Sequence, residues 1–526
     1  MATTVVAPVS SRQTEPVSRG LEPGIAAAIA TPLALFAVLV NGYHPYAEDG
    51  GLYMAEIKRR LDPSLYPHAT EFVTGHLHFS LFAPFIAALV HLSHASLASV
   101  LFAVHVASFW LMLFAASLLA ARCFPSRIAR FGAVALLAVW MTIPIAGTSL
   151  MLMDPYVTAR SFSAPCVLLV LTGVLAFMRP LAGSLRERWY GLMLCVAALV
   201  AAAAMHVLMA AYGLGCVLVL IAVSSHSRRV RVWGTATLAI AAIGIAGAMQ
   251  AWAKPESAAY LRVAMTRYYW FLSQWHWYEQ LGLAAPLLIL AIAGYMRRGK
   301  EDSALAALTR MGVVCGGVAA VVALLFARPD MAAHPVARLQ PLRILQTVYV
   351  VMILLLGALL GEHILKRSRW RWIAAFALLA GITVFTQRQT FPDSAHLELP
   401  GKVPQNSWEQ AFLWIRKNTP QDAMFALDAH YITSPGEDAQ SFRAIAERSM
   451  LPDYSKDGGE ASVVPELTPA WRTGEIAQQD LNTEPDPQRL ARLMPFGVNW
   501  IVLRSDAKTG FPCPYVNRAV KVCRLQ

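Results

Sequence analysis

The residues best equipped for chemistry in this 526-residue chain are an acidic pair, Glu48-Asp49, just beyond the first long apolar run. They lie in the stretch Asn41-Gly42-Tyr43-His44-Pro45-Tyr46-Ala47-Glu48-Asp49-Gly50-Gly51-Leu52-Tyr53. Ionised carboxylates are costly in hydrocarbon, so at the mouth of a membrane helix such a pair needs water, a cation, a partner or a reaction to serve. One of them could act as a general base, and the pair could ligate a hard divalent metal. A structural alternative makes Asp49 the cap of a following helix and leaves Glu48 in water. Four histidines of the same loop, His44, His68, His76 and His78, lack the tight paired spacing of a zinc site.

A second group is Asp154-Pro155-Tyr156-Val157-Thr158-Ala159-Arg160. Asp154 and Arg160 either neutralise each other or divide the work, Asp154 facing a reaction centre and Arg160 a phosphate that suits its fork of donors. His206 falls at a tight turn between apolar runs, where it either contacts a headgroup or satisfies loop carbonyls. A third group joins the aromatic run Tyr268–Tyr278, including Trp270, to the arginines Arg262, Arg267, Arg338 and Arg343. Such aromatics form an interfacial belt or a wall for a sugar ring or prenyl chain, and Tyr53 is a similar candidate in the first loop.

The elements that must position these residues are membrane helices. The chain is 56% hydrophobic and 14% charged, with mean hydropathy +0.48, far more apolar than a soluble core of this length requires. Apolar runs near 24–41, 98–121, 131–150, 163–179, 190–205, 208–224, 232–252, 280–296, 304–327, 341–362 and 371–386 match bilayer-crossing helices. The shorter run 79–93 fits either a crossing or an interfacial helix, giving about 11 to 12 transmembrane helices.

Basic residues set the expected orientation. Arg122, Arg127 and Arg130; Arg179, Arg186 and Arg188; Arg228, Arg229 and Arg231; Arg297, Arg298 and Lys300; and Lys366, Arg367, Arg369 and Arg371 fall in short turns, which the positive-inside rule makes cytoplasmic. The N-terminus is then cytoplasmic, while 43–78, 153–162, 253–279, 328–340 and everything past about 387 face outward. Most of the net charge of +12 is this topological signal, and nucleic acid is not an expected partner.

Three parts follow: a disordered cytoplasmic tail over 1–22, a transmembrane domain over 23–390 with the outer loop 43–78, and a soluble extracytoplasmic α/β domain over 391–526. Within the last, Ser407–Ile415 has helical spacing, and Ala423–Leu427 and Val498–Leu503 read as short buried strands. It also holds Cys513 and Cys523, which either form a disulfide on an oxidising face or stay free thiols.

This arrangement resembles the GT-C superfamily of polyprenyl-phosphate-dependent glycosyltransferases and, more narrowly, a group of bacterial membrane proteins of the same architecture. The likeness is carried by Glu48-Asp49-Gly50-Gly51-Leu52-Tyr53, Asp154-Pro155-Tyr156 with Arg160-Ser161-Phe162, and Trp414-Ile415-Arg416 with Asn418-Thr419-Pro420 and Asp422-Ala423. Phe442-Arg443, Glu447-Arg448-Ser449 and Phe496-Gly497-Val498 extend it toward the end of the chain. The resemblance implies a GT-C-like fold in a bacterial inner membrane and transfer of a sugar from a polyprenyl-phosphate donor to a glycan, lipid or protein acceptor outside. It makes Asp49 the first choice of base and Glu48 the second, with Arg160 and Arg343 on the departing phosphate. Asp154 would orient the acceptor or support a divalent metal. The chain departs from the pattern in carrying Glu-Asp in place of Asp-Asp or Asp-Glu, and a single Asp-Pro where a metal-binding motif stands.

Two other classes compete. A lipid or solute transporter would show charged or broken helices near the midplane, and the runs here are mostly uninterrupted. A non-catalytic envelope scaffold is told from an enzyme by whether Asp49, Asp154 and Arg160 converge on one cavity that opens to the lipid; far apart, or paired off in salt bridges, they speak against the enzyme.

Overall fold

A computed structural model describes residues 22–75, 80–180, 183–296 and 303–525 of the chain. The expected tail over 1–22 thus falls almost wholly outside the described residues, as do His76 and His78. Between Pro23 and Thr390, nine described helices are long and apolar enough to cross a membrane. Two shorter apolar helices, Phe82–Ser93 and Val207–Val223, accompany them. Serine side chains cap the helices that begin at Leu97, Arg127, Leu185, Arg228 and Ala304, each accepting a backbone N–H left without an intrahelical acceptor.

The helix Arg228–Trp252 shows how composition places this bundle. Ala246 alone is buried along it, and its Trp233 and Trp252 are exposed. At 1.5 Å per residue these two indoles stand about 28 Å apart. That separation matches a hydrocarbon layer of about 30 Å with an aromatic at each interface. The protein is therefore a polytopic α-helical membrane protein.

One span differs from the hydropathy reading. The run 131–150 forms a helix only over Arg127–Val139. The chain then turns back through a tight loop in which Ile145 N donates to Leu150 O at 2.8 Å and Pro144 bridges Met151. Pro144 lacks an amide donor, and Ala146 and Ser149 take left-handed backbone angles, so the helix cannot continue although the residues stay apolar. The run 341–362 is helical as expected, with Pro341–Ile344, Leu345–Leu359 and the π-helical turn Leu360–Leu365 following one another directly. Gln340, left-handed at φ 52°, and Pro341 set off the short helix Pro335–Leu339 just before it. Phe82–Ser93, with 12 residues, extends only about 18 Å and packs against the helix Glu48–Leu61.

One end of the bundle is tied by polar side chains. Asn41 Nδ2 donates to Ala37 O and Ala138 O, its Oδ1 accepts from Thr142, and Gln387 Nε2 donates to Thr142 Oγ1 at 2.9 Å. The described basic turns gather at the opposite end. There Arg122 pairs with Glu187, Arg179 donates to Ser224 O, and Phe131 packs on Trp372.

Beyond Phe391 the chain builds a small α/β region on the Asn41 end. Its sheet has the order β2-β1-β3-β5-β4, with β1 (Met424–Ala426), β2 (Ser449–Met450), β3 (Trp500–Arg504), β4 (Tyr515–Val516) and β5 (Val520–Arg524). β1 runs parallel to β2 and β3, and β5 runs antiparallel to β3 and β4. The helix Ser407–Asn418 covers one face through Trp408, Phe412 and Ile415. Cys513 and Cys523 are joined in a disulfide.

The helix Glu48–Leu61 does not lie bare on the membrane surface. It is clasped by the α/β region: Lys58 Nζ donates to Ala444 O at 2.6 Å and pairs with Glu447 at 2.7 Å, and Tyr66 OH donates to Arg443 O. The two glycines of its first turn make this closeness feasible. A Cβ on Gly50 would stand 2.8 Å from Tyr156 Cβ, and one on Gly51 would stand 2.1 Å from Ser441 Cβ.

Candidate functional site

The acidic pair opens the helix Glu48–Leu61, whose N-cap is Ala47 with no side-chain cap. Glu48 has φ 52°, an uncommon angle for a residue with a side chain, and is held there by its N–H bonding to Ala439 O at 2.9 Å. Neither acid is spent on capping. Asp49 Oδ1 accepts from Lys456 Nζ at 3.1 Å, and Asp49 Oδ2 accepts from Arg160 Nη2 at 3.1 Å. The same lysine also pairs with Glu48, and the same Arg160 nitrogen donates to Asp154 Oδ2 at 3.0 Å. Thr158 Oγ1 donates to Asp154 as well, at 3.2 Å.

Exposure grades across this network. The side chains of Asp154 and Arg160 are 4% and 7% exposed, whereas those of Asp49 and Glu48 are 36% and 42% exposed. The outer edge of the network therefore consists of carboxylate, and its cations lie behind. Burial alone would raise the Asp49 carboxyl, but Lys456 and Arg160 outweigh it and hold the group well below the usual carboxylate range. Burial likewise opposes the charge on Lys456, and Glu48 and Asp49 reverse that effect and push its pKa up. For Asp154 burial prevails and the shift is upward, with Arg160 pulling the other way.

Arg343 completes the electrostatics. It lies near enough to feel the charges of Asp49 and Arg160, yet its Nε is buried without a hydrogen-bond partner among the described residues. A buried guanidinium donor left unmade is costly, and an incoming anionic oxygen would satisfy it.

The remaining candidates are spread more widely. Tyr53 is buried one turn along the same helix, edge-on to Phe82 with centroids 5.2 Å apart and close to Arg160 and Asp49; burial pushes its phenol up. His206 joins Leu185–Met205 to Val207–Val223, and the adjoining carbonyls of Ala204 and Met205 accept from Leu81 N and Ser80 Oγ. Arg338 pairs with Glu256 at 3.1 Å and lies over the Tyr260 ring, away from the acidic pair. Trp270 is buried in the membrane core, while Tyr268, Trp277 and Tyr278 of the same run are exposed. The aromatic run is thus divided between core and surface.

Each carboxylate already faces Lys456 or Arg160, and among the described residues no three His, Cys, Asp or Glu side chains are arranged to hold a metal.

Sequence reasoning missed Lys456, which lies more than 400 positions from the residues it pairs with. A signal exists. Lys456-Asp457-Gly458-Gly459 repeats the pattern of Glu48-Asp49-Gly50-Gly51 with the first charge inverted, and each starts a helix.

Fold and site together define a polytopic helical membrane protein whose membrane segments and C-terminal α/β region meet at a shared charged site. No protein-family model matches the chain, and no curated protein matches it. Among solved structures it is similar to the Archaeoglobus fulgidus oligosaccharyltransferase in the apo form, at 11% identity and TM-score 0.49 over 94% of this chain and 70% of that one. It is also similar to AglB from the same organism, in complex with an inhibitory peptide and a dolichol-phosphate, at 13% identity and TM-score 0.43 over 92% of this chain and 69% of that one. A third is the arabinofuranosyltransferase AftD from Mycobacteria, at 15% identity and TM-score 0.47 over 97% of this chain and 42% of that one. Likenesses this loose carry no argument, and the fold and site described above stand on their own geometry.

Proposed function

We propose that this protein transfers a sugar from a polyprenyl-phosphate-linked donor to an envelope acceptor on the extracytoplasmic face of a bacterial inner membrane. In this reading residues 23–390 form the membrane domain, with a cytoplasmic N-terminus, and 391–526 form an extracytoplasmic domain. The observation that carries the proposal is the convergence of an accessible carboxylate, Asp49, with Arg160, Lys456 and Arg343, whose Nε has no acceptor among the described residues, contributed by separate parts of the chain. Carboxylate and cations together suit a reaction in which a hydroxyl loses a proton while a phosphate departs.

Asp49 accepts the proton of the acceptor hydroxyl. Arg160 and Arg343 stabilise negative charge on the leaving phosphate, and Asp154 holds Arg160 in place. Tyr53 packs beside the reacting groups. Purified full-length protein in nanodiscs, supplied with lipid-linked sugars extracted from its own host membranes, should release polyprenyl phosphate, and Asp49→Asn should abolish the release. Equal release by both proteins would remove Asp49 from the reaction.

One observation favours a second reading. Asp49, Asp154 and Arg160 are brought together but are also ion-paired with one another, as a non-catalytic scaffold would have them. On that reading Asp49→Asn changes stability and leaves envelope glycans unaltered.

A further inference from the structure

The ion-paired state poses a chemical problem for the glycosyl-transfer reading. A carboxylate pinned between two cations is a poor proton acceptor, so the base must be released before it can work. Glu48, Asp49 and Asp154 already face Lys456 and Arg160, and Arg343 alone brings a guanidinium nitrogen with no acceptor. An entering phosphate must therefore compete with carboxylates for its partners.

Lys456 is the member most readily drawn away. Its ammonium ends a flexible stem, unlike the Arg160 guanidinium, which is locked between Asp154 and Asp49. The backbone beneath the stem is fixed. Asp453 Oδ1 accepts from Lys456 N at 2.6 Å, and Arg267, from the membrane half, donates to Ser455 O at 2.8 Å and Tyr454 O at 3.2 Å. The side chain can thus swing from a held base.

We propose that Lys456 is a donor-sensing residue, which keeps Asp49 inert until the phosphate of a lipid-linked sugar enters beside Arg343 and Arg160 and takes the lysine ammonium for itself. This rests on the glycosyl-transfer reading. Lys456 is a positioning residue that acts through Asp49. Once it has moved, the acceptor oxygen bonds to the anomeric carbon as the bond from that carbon to the phosphate oxygen breaks. The electron pair leaves with the phosphate, and the hydroxyl proton passes to Asp49. The arrangement ties base activation to donor arrival.

The test uses the full-length chain in nanodiscs with farnesyl phosphate as the probe. Binding is read by calorimetry, and the protonation of Asp49 by pH-resolved infrared difference spectra of wild type against Asp49→Asn. The titratable and charged groups around Asp49 are Glu48, Lys456, Arg160, Asp154, Arg343, Tyr53 and Tyr156. Farnesyl phosphate should move the Asp49 titration upward by at least about one pH unit, a tenfold gain in proton affinity. In Lys456→Met the titration should start higher and move less, and Lys456→Arg should restore part of the wild-type behaviour. Binding without any movement of the titration overturns the sensing role and leaves the glycosyl-transfer reading intact. A failure of wild type to bind farnesyl phosphate overturns both. Because the first comparison needs only wild type and Asp49→Asn, a variant of Lys456 that fails to fold does not blunt it.

Discussion

Arg343 brings to the charged site a buried Nε with no acceptor among the described residues, a cost the donor-free protein carries. Arg343→Gln should accordingly leave thermal stability unchanged or raise it by about 1–3 kcal/mol. The same change should raise the KM for the lipid-linked donor at least tenfold, because a charge-assisted bond to phosphate is lost. Unchanged KM in donor titrations would remove Arg343 from the site. Part of this site was legible in residue types alone. Asp49, Asp154 and Arg160 stand out because charge beside an apolar run demands a partner, and both carboxylates do lie within hydrogen-bond reach of Arg160. Lys456 was missed because a lysine in a soluble segment carries no such demand, and its only trace is the Gly-Gly pattern it shares with Glu48-Asp49-Gly50-Gly51. Arg338 looked equivalent to Arg343, but the partner that neutralises it, Glu256, is more than 80 positions away.

The helix Glu48–Leu61 is held in place by close backbone approach rather than by a cap. Gly51→Ala would drive a Cβ into Ser441, and it should cost about 1–3 kcal/mol in thermal or denaturant unfolding. Ser441→Gly should recover part of the loss if that contact is the cause. A neighbouring junction is governed by pH. Burial pushes the Glu398 carboxyl up to about 8, and His44, whose Nδ1 lies 3.0 Å from it, is lowered by burial to about 4. For Glu398 the folded value exceeds the unfolded one, so its contribution is full below about pH 4.5 and is lost as pH rises through about 8. Glu398→Gln should flatten the decline in melting temperature between pH 5 and 8.5, and a decline of unchanged slope would assign it to other groups. At this scale hydropathy located most crossings within a few residues. It failed past Val139, where the residues stay apolar but Pro144 and the left-handed Ala146 and Ser149 do not suit a helix. Nor does sequence decide what covers the helix Glu48–Leu61, since an amphipathic face suits a lipid interface and a domain interface alike.

For the molecule as a whole, the charged site exists only where the membrane bundle and the α/β region meet. Orientation is therefore part of the functional account. The disulfide between Cys513 and Cys523 suits an oxidising compartment. A membrane-impermeant maleimide applied to spheroplasts should label these cysteines only after reduction, and labelling that needs a permeabilised membrane would invert the proposed topology. Reduction should also cost the α/β region about 2–3 kcal/mol, measured as a lower unfolding midpoint. The central claim, that Asp49 is the base of an outward-facing glycosyl transfer, is tested most directly by envelope glycans in a deletion strain. Complementation with wild type should restore a sugar linkage that the deletion lacks. Asp49→Asn, expressed and folded to the same level, should lower the restored linkage by about 10²-fold or more, and restoration equal to wild type would contradict the account.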